Sequence, residues 1–148
     1  MPIGIDENRL KHSLAVARSA HDYALNVFGF SAEEAQEMFV IGLLHDIGYE
    51  FVDDQLDHAH AGGEILQRMG MAGCEEVFHH GDPDTDYSSK RLRILDMADL
   101  TTTPNGKRCT TTERLGDVIS RYGDHSPQSE AMQRLIDRYS SHDEDPTP

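Results

Sequence analysis

The sequence predicts a single all-α domain, a helical bundle of six or seven helices, over residues 1–140, followed by an acidic, flexible tail at 141–148. Three observations favour this fold class. The chain has 148 residues, which is long enough for one hydrophobic core. Apolar residues recur with a period near 3.6, and no segment of strand length shows a clear apolar–polar alternation. Capping signals and short loops separate the helical segments.

The first two helices are defined by their periodicity and by the residues at their ends. Residues 6–28 carry apolar side chains at helical spacing, and Gly29 ends that segment. The run SAEE at 31–34 is a capping box, in which Ser and Glu satisfy backbone N–H groups reciprocally. We expect this second helix to continue through a strongly apolar stretch to the glycine at 48.

Shorter periodic segments with glycine or capping residues at their ends predict the remaining helices. They lie at about residues 58–69, 73–80, 88 or 89 to 100, 110–122 and 126–140, and either Ser88 or Ser89 caps the third of them. Gly70 and Gly81 close two of them, Thr110 opens another with a second capping box, and Pro127 occupies a first helical position. The connecting segments at 49–57, 82–88 and 101–110 are predicted loops.

The charge of the chain excludes two classes of partner. The formal net charge is −14, which argues against a nucleic-acid backbone or an anionic membrane surface as the main partner. The charge is uneven, because residues 1–89 carry 17 acidic and 4 basic residues, whereas 90–148 carry 10 acidic and 9 basic residues. Seven of the nine histidines also lie in the acidic part.

The ends and the cysteines of the chain predict a cytoplasmic protein. The N-terminal residues are charged and lack the apolar segment of a signal peptide, and no apolar run approaches the length of a membrane span. Cys74 and Cys109 lie far apart and form no CxxC motif, so we expect reduced thiols without a chemical role.

Histidines and aspartates lie on the predicted helices or at their ends. Imidazole and carboxylate groups together bind divalent cations such as Mn, Fe, Co, Ni and Zn, and a helical bundle can direct them to one interior point. The candidates are His12, the doublet His45-Asp46, His58 with His60, the pair His79-His80, and Asp96 with Asp99.

Each candidate also has an ordinary structural explanation. His12 lies among apolar residues, as many partly buried histidines do, and His58 could belong to a solvated first turn. The pair at 79–80 is typical of an exposed helix C-terminus, which favours positive charge. The doublet at 45–46 is the strongest candidate, because an unpaired polar pair after an apolar run is costly to bury.

The order of these residues resembles the HD-domain superfamily of metal-dependent phosphohydrolases. The segments that carry the resemblance are RLKHSLAVA, LLHDIG, HAHAGGEIL, VFHHGD and DMADL, within about residues 8–122. The signature of the superfamily is H…HD…D. Carried onto this sequence, it implies that His12, His45, Asp46 and Asp99 hold a metal ion.

The additional histidines resemble the branch of the superfamily with a dinuclear site. In that branch the Asp of the doublet bridges two metals, which implies that Asp46, His58 and either His79 or His80 hold a second ion. The cofactor is then one or two divalent cations, and Fe, Mn, Co, Ni, Zn and Mg remain open.

The chemistry implied is attack on phosphorus by a metal-activated water, with Asp46 between the metals. His60, Asp96 and whichever of His79 and His80 is not a ligand are candidate general acids. Phosphate binding also favours cations, for which Arg18 and the run Lys90, Arg91 and Arg93 are candidates. Further basic residues follow at Lys107, Arg108 and Arg114.

Three functions therefore compete. The first is hydrolysis of a small phosphate ester, nucleotide or dinucleotide, and the absence of a P-loop, a GxGxxG run and a GxSxG elbow is consistent with it. The second is a di-iron oxygenase of the same superfamily, and the third is a non-catalytic metal- or nucleotide-binding module. The partner expected is a small phosphorylated substrate, and Met69, Met71 and the helices within 115–139 could form a homodimer face.

Overall fold

The computed structural model describes residues 1–140 of the chain, and this part contains seven α-helices and two short 3-10 helices joined by turns and loops. This part contains no β-strand, so the predicted all-α class is confirmed. The predicted tail at 141–148 lies outside the described residues. The α-helices are α1 (Glu7–Asn26), α2 (Ala32–Leu44), α3 (His58–Arg68), α4 (Cys74–His79), α5 (Lys90–Leu100), α6 (Thr111–Tyr122) and α7 (Pro127–Ser140).

The capping signals in the sequence begin the helices where they were predicted. Both capping boxes form, at Ser31 with Glu34 and at Thr110 with Glu113. Of the two serines proposed to begin α5, Ser89 is the cap, and its hydroxyl accepts a hydrogen bond from the Leu92 N–H at 2.9 Å. Local side-chain chemistry therefore determines these helix starts.

Two connections differ from the predicted loops. The second helix ends at Leu44, and 3-10 helices occupy Ile47–Glu50 and Gln55–Asp57 within or next to the expected loop at 49–57. The segment at 101–110 folds back on itself through an antiparallel bridge between Thr102 and Arg108. Short turns of this kind depend on contacts with the rest of the protein, so periodicity does not reveal them.

The main core lies between the first five helices. Its buried side chains include Val16 of α1, Met38 and Ile41 of α2, and Ile94 of α5. A second cluster, in which Leu135 and Tyr139 pack on Leu100, attaches α7 to α5. Within residues 1–140, no helix combines the length and apolarity that crossing a membrane requires.

Candidate metal centre

Six side chains from five helices meet at one end of the core. They are His12 of α1, His45 and Asp46 directly after α2, His58 at the start of α3, His80 directly after α4, and Asp99 of α5. His12, His45, Asp46 and His80 are buried, and His58 and Asp99 are partly buried. These residues are called the cluster below.

Three histidines of the cluster occupy the same position relative to a helix. His45, His58 and His80 are the C-cap residues of α2, of the 3-10 helix Gln55–Asp57 and of α4, respectively. In each, the ring Nδ1 donates a hydrogen bond to the carbonyl three residues earlier, at 2.7, 2.6 and 2.5 Å. Each of these carbonyls accepts both the backbone N–H and the ring Nδ1–H of the same histidine, and this pair of bonds holds the ring in a defined orientation.

His12 is positioned in a different way, from the interior of α1. Its Nδ1 donates to the Thr103 carbonyl at 2.9 Å, and its Nε2 lies 2.9 Å from Asp99 Oδ1. The Thr102–Arg108 bridge and the turn it closes place this carbonyl. The loop after α5 therefore orients a histidine that lies 91 positions earlier in the chain.

These hydrogen bonds direct four Nε2 atoms toward the same space. A carbonyl oxygen only accepts, so the proton of each neutral ring is on Nδ1 and the lone pair is on Nε2. The Nε2 atoms of His58 and His80 are only 3.2 Å apart. The Nε2 atom of His45 is buried and has no hydrogen-bond partner among the described residues. Converging lone pairs and an unpartnered buried nitrogen fit a bound cation.

The Asp46 carboxylate lies between two pairs of histidines. Its Oδ2 is 3.3 Å from His45 Nε2 and 3.7 Å from His12 Nε2. Its Oδ1 is 3.3 Å from His58 Nε2 and 3.5 Å from His80 Nε2. Each carboxylate oxygen therefore faces a different pair of imidazoles.

The cluster contains three overlapping groups of residues that could each hold a metal ion. Within each group, one ligand atom from every residue lies within 4.8 Å of the others. The groups are His12, His45 and Asp46; His45, His80 and Asp99; and Asp46, His58 and His80. Nitrogen and carboxylate donors of this kind fit borderline or hard divalent cations.

The charges in the cluster shift the pKa values of its members in opposite directions. Burial favours the neutral form of His12, but its hydrogen bond to Asp99 and that carboxylate's charge outweigh burial and raise its pKa above the usual value. Burial likewise opposes ionisation of Asp46 and Asp99, but the neighbouring histidines hold both pKa values well below the usual range. Without metal, the cluster is therefore a set of ion pairs in which protons occupy the place of a cation.

The structure distinguishes the two histidines at the end of α4. His80 joins the cluster, whereas the Nδ1 of His79 shares a hydrogen bond of 3.0 Å with the Thr85 hydroxyl, and the His79 ring stacks on Tyr87. Adjacent residues of a helix point about 100° apart, so only one of the two can face a given point. His80 faces the cluster because it is the residue directly after the last residue of α4.

Two further candidates for acid–base chemistry lie away from the cluster. His60 is exposed on α3, and its ring stacks on Phe78. Asp96 is buried under α7, where its carboxylate accepts hydrogen bonds from the Gly81 N–H at 2.8 Å and the Tyr139 hydroxyl at 2.5 Å. Neither lines the cavity described next, and Asp96 instead fixes the backbone that follows His80.

A cavity of about 410 Å³ opens onto the cluster and includes His12, Asp46, His58 and Asp99 in its wall. The cavity is also lined by three arginines that were not among the predicted substrate-binding residues, namely Arg9, Arg114 and Arg121. Arg114 belonged to the wider basic group noted in the sequence. Arg9 precedes His12 by one helical turn, and this spacing could have identified it.

The four basic residues that the sequence suggested for phosphate binding lie outside the cavity wall. Arg18 and Lys90 are exposed and do not line the cavity. Arg91 pairs with Glu37 at 3.4 Å, and the Arg93 guanidinium lies 6.0 Å from the centre of the Tyr139 ring. The run at 90–93 begins α5, and Asp99 is near its other end, so two turns of helix separate that run from the cluster.

Tyr49 connects one of these arginines to the cluster. Its ring stacks on His58, with centroids 4.2 Å apart, and the Arg9 guanidinium lies over the ring at 3.9 Å from its centre. Burial raises the pKa of the Tyr49 hydroxyl to about 12, so it keeps its proton at neutral pH. Tyr49 was not predicted to have a role, because it lies in a predicted loop and periodicity there carries no information about this stacking.

Comparison with known proteins gives one result. A family model described as HD domain matches residues 9–103, which include all six residues of the cluster. No curated protein and no solved structure matches the chain significantly.

Proposed function

The chain belongs to the HD-domain family, most of whose members are metal-dependent hydrolases, and on this premise we propose that it hydrolyses a small phosphate ester with two bound divalent cations. The observation that carries the proposal is the position of Asp46. One of its oxygens faces His12 and His45, and the other faces His58 and His80. A carboxylate in this position suits two cations that share it as a bridge.

In the proposed centre, His12, His45, Asp46 and Asp99 would hold one cation, and Asp46, His58 and His80 would hold the other. Two such cations would polarise the phosphoryl group and lower the pKa of a water molecule. The backbone carbonyls behind the four imidazoles keep each ring oriented and its Nε2 free for binding. Fe, Mn, Co, Ni, Zn and Mg are the candidates.

The protein would also orient the substrate through the residues around the cluster. Arg9, held over Tyr49, is a fixed positive charge in the cavity that contains His58. It suits a phosphoryl oxygen, because a guanidinium donates two parallel hydrogen bonds to such a group. Neither His60 nor Asp96 lines the cavity, so we assign neither of them a contact with the leaving group.

The test is phosphate release by protein loaded with each candidate metal, measured on a panel of nucleotides and other small phosphate esters. We expect Asp46→Ala to abolish release and to lower the metal content of the chain. Its control is Asp53→Ala, which removes an exposed carboxylate outside the cluster and should retain both. We expect two metal ions per wild-type chain and fewer in His80→Ala.

Three outcomes would contradict the proposal. Wild-type protein as inactive as Asp46→Ala on the whole panel would remove its support. Oxygen uptake with a mixed-valence iron signal would favour the oxygenase alternative. Tight nucleotide binding without phosphate release would favour a binding module.

A further inference from the structure

One face of α6 forms a wall of the cavity. The residues of α6 in this wall are Arg114, Asp117, Val118, Arg121 and Tyr122. The last four of them lie three, four, seven and eight positions after Arg114. This spacing places all five side chains on the same side of a helix. No residue of α6 belongs to the cluster, so this wall and the cluster are chemically different parts of one cavity.

Arg114 has an unsatisfied donor in this wall. Its Nε atom is buried and donates no hydrogen bond to any residue within 1–140. Buried polar groups are nearly always paired, and a guanidinium pairs most strongly with a carboxylate or a phosphate. The unpartnered Nε belongs to a side chain that lines the cavity, and this points to an anionic ligand as the partner of the Arg114 guanidinium.

The other two arginines of the cavity already have partners. The Nε of Arg121 lies 3.3 Å from Asp117 Oδ2, and Arg9 lies over the Tyr49 ring. Asp117 is the acidic residue of α6 in the cavity wall, and the positive charge of Arg121 compensates it. Arg121 is paired with Asp117, and Arg9 lies beside His58, where the reacting phosphate is proposed to bind, so Arg114 is the cavity arginine left for a second group of the ligand.

We propose that Arg114 binds a second anionic group of the substrate, a phosphate or a carboxylate, while the phosphate to be hydrolysed lies at the cluster. This inference rests on the function proposed above and specifies its substrate class as a small phosphate ester with two anionic groups. The cavity volume of about 410 Å³ is near the lower end for small-molecule sites. Apolar surface from Val118, Met132 and Pro104 also lines it and suits an uncharged body between the two anions.

The test compares three esters that differ only in the group opposite the reacting phosphate. Phenyl phosphate has none, 4-carboxyphenyl phosphate has a carboxylate, and 1,4-phenylene bisphosphate has a phosphate. Metal-loaded wild type, Arg114→Gln, Arg114→Lys and the control Arg134→Gln are compared by kcat/KM for each ester. Arg134 is exposed, pairs with Asp84 and does not line the cavity, so its replacement controls for the loss of one positive charge.

For Arg114→Gln we expect kcat/KM to fall about 10-fold to 100-fold, chiefly through KM, with the ester whose second anion Arg114 binds. Hydrolysis of phenyl phosphate should change little, Arg114→Lys should restore part of the loss, and Arg134→Gln should behave as wild type. The doubly anionic ester that shows the selective loss identifies the second group as phosphate or carboxylate. An equal effect of Arg114→Gln on all three esters would overturn the inference and leave the proposed hydrolysis intact.

A binding measurement separates this inference from the proposed function. If wild type hydrolyses none of the esters, the proposed hydrolysis fails, and calorimetric titration of the same metal-loaded proteins with the three compounds decides the anion site. Weaker binding of a doubly anionic compound to Arg114→Gln, with unchanged binding of phenyl phosphate, would support it. Equal binding by wild type and Arg114→Gln would overturn it, and equal melting temperatures exclude unfolding as the cause.

Discussion

At the scale of single residues, Asp96 shows how a buried carboxylate can serve the metal centre without contacting it. Burial raises the pKa of Asp96 to about 6, although hydrogen bonds from Tyr139 and Gly81 oppose the increase. Asp96 accepts a hydrogen bond from the backbone N–H of Gly81, which is the residue directly after His80. Asp96 therefore acts on the cluster through the backbone that ends α4, as a positioning residue.

We expect Asp96→Asn to make the protein more stable than wild type near pH 7 but not near pH 4. Because its pKa is raised from 3.8 to about 6, folded Asp96 holds its proton more strongly than unfolded Asp96, so wild type loses stability as pH rises through this range. The shift corresponds to at most about 3 kcal/mol. Asn keeps an oxygen that accepts from the Gly81 N–H and an amide N–H that can donate to the Tyr139 oxygen, but it does not ionise.

Urea unfolding of both proteins in chelator at pH 4 and pH 7 measures this difference in the free energy of unfolding. The chelator keeps metal binding from adding its own pH dependence. A variant that is destabilised equally at both pH values would show that the hydrogen bonds of Asp96, and not its ionisation, determine the effect.

At the scale of helices, the close approach of α1 and α2 holds the cluster together. A Cβ atom on Gly42 would lie 2.8 Å from Ala17 Cα and 3.0 Å from Ala17 N, which are backbone atoms that cannot move independently of their helix. Gly42 also supplies the carbonyl that accepts the His45 hydrogen bond. The helix contact and the orientation of His45 therefore depend on the same turn of α2.

Two glycine-to-alanine substitutions should change stability in opposite directions. Gly42→Ala should destabilise the protein by about 1–3 kcal/mol, because the added methyl group forces α1 and α2 apart. Gly116→Ala in α6 should stabilise it by about 0.5–1 kcal/mol, because a Cβ there meets no atom within 4 Å and alanine favours the helix. Chemical denaturation measures the free energy of unfolding of both variants. A similar change in the two variants would show that the close contact between α1 and α2 does not determine the effect of Gly42→Ala.

At the scale of the whole molecule, the cluster joins five helices at one point. The ligand atoms come from segments between residues 12 and 99, so a bound cation would cross-link most of the core. Two of the imidazoles, His45 and His80, lie directly after the C-terminal ends of α2 and α4, where the partial negative charge of the last carbonyls favours positive charge. This local field attracts cations independently of the net charge of −14.

We expect metal removal to lower the melting temperature, and to lower it more at pH 8 than at pH 6. The pKa values of His12, His45 and His80 are raised, so their protonation stabilises the metal-free fold at low pH, and this contribution is lost as pH rises through those values. Metal binding requires neutral imidazoles and becomes tighter over the same range. With free metal at about 1,000 times its Kd, the stabilisation is about 4 kcal/mol.

Thermal unfolding with metal and with chelator at the two pH values gives this comparison. The variant Asp46→Ala is the control and should respond weakly to metal at both. A response in wild type that decreases toward pH 8 would contradict the expected competition between protons and metal.

The sequence by itself determined the all-α class, most helix starts and the residues from which a metal centre could be built. It could do so because helix periodicity and capping act over a few neighbouring residues, and the H…HD…D order is local in each of its segments. Both capping boxes and the choice of an all-helical fold are confirmed for this reason.

Only the tertiary structure decided which of these residues meet. His80 joins the cluster and His79 does not, because α4 ends between them, and a shift of one residue turns a side chain by about 100°. The contact of His12 with Thr103, the stacking of Arg9, Tyr49 and His58, and the position of Arg114 in the cavity wall join residues far apart in the chain. Such contacts depend on how the helices pack, and periodicity along a single segment carries no information about them.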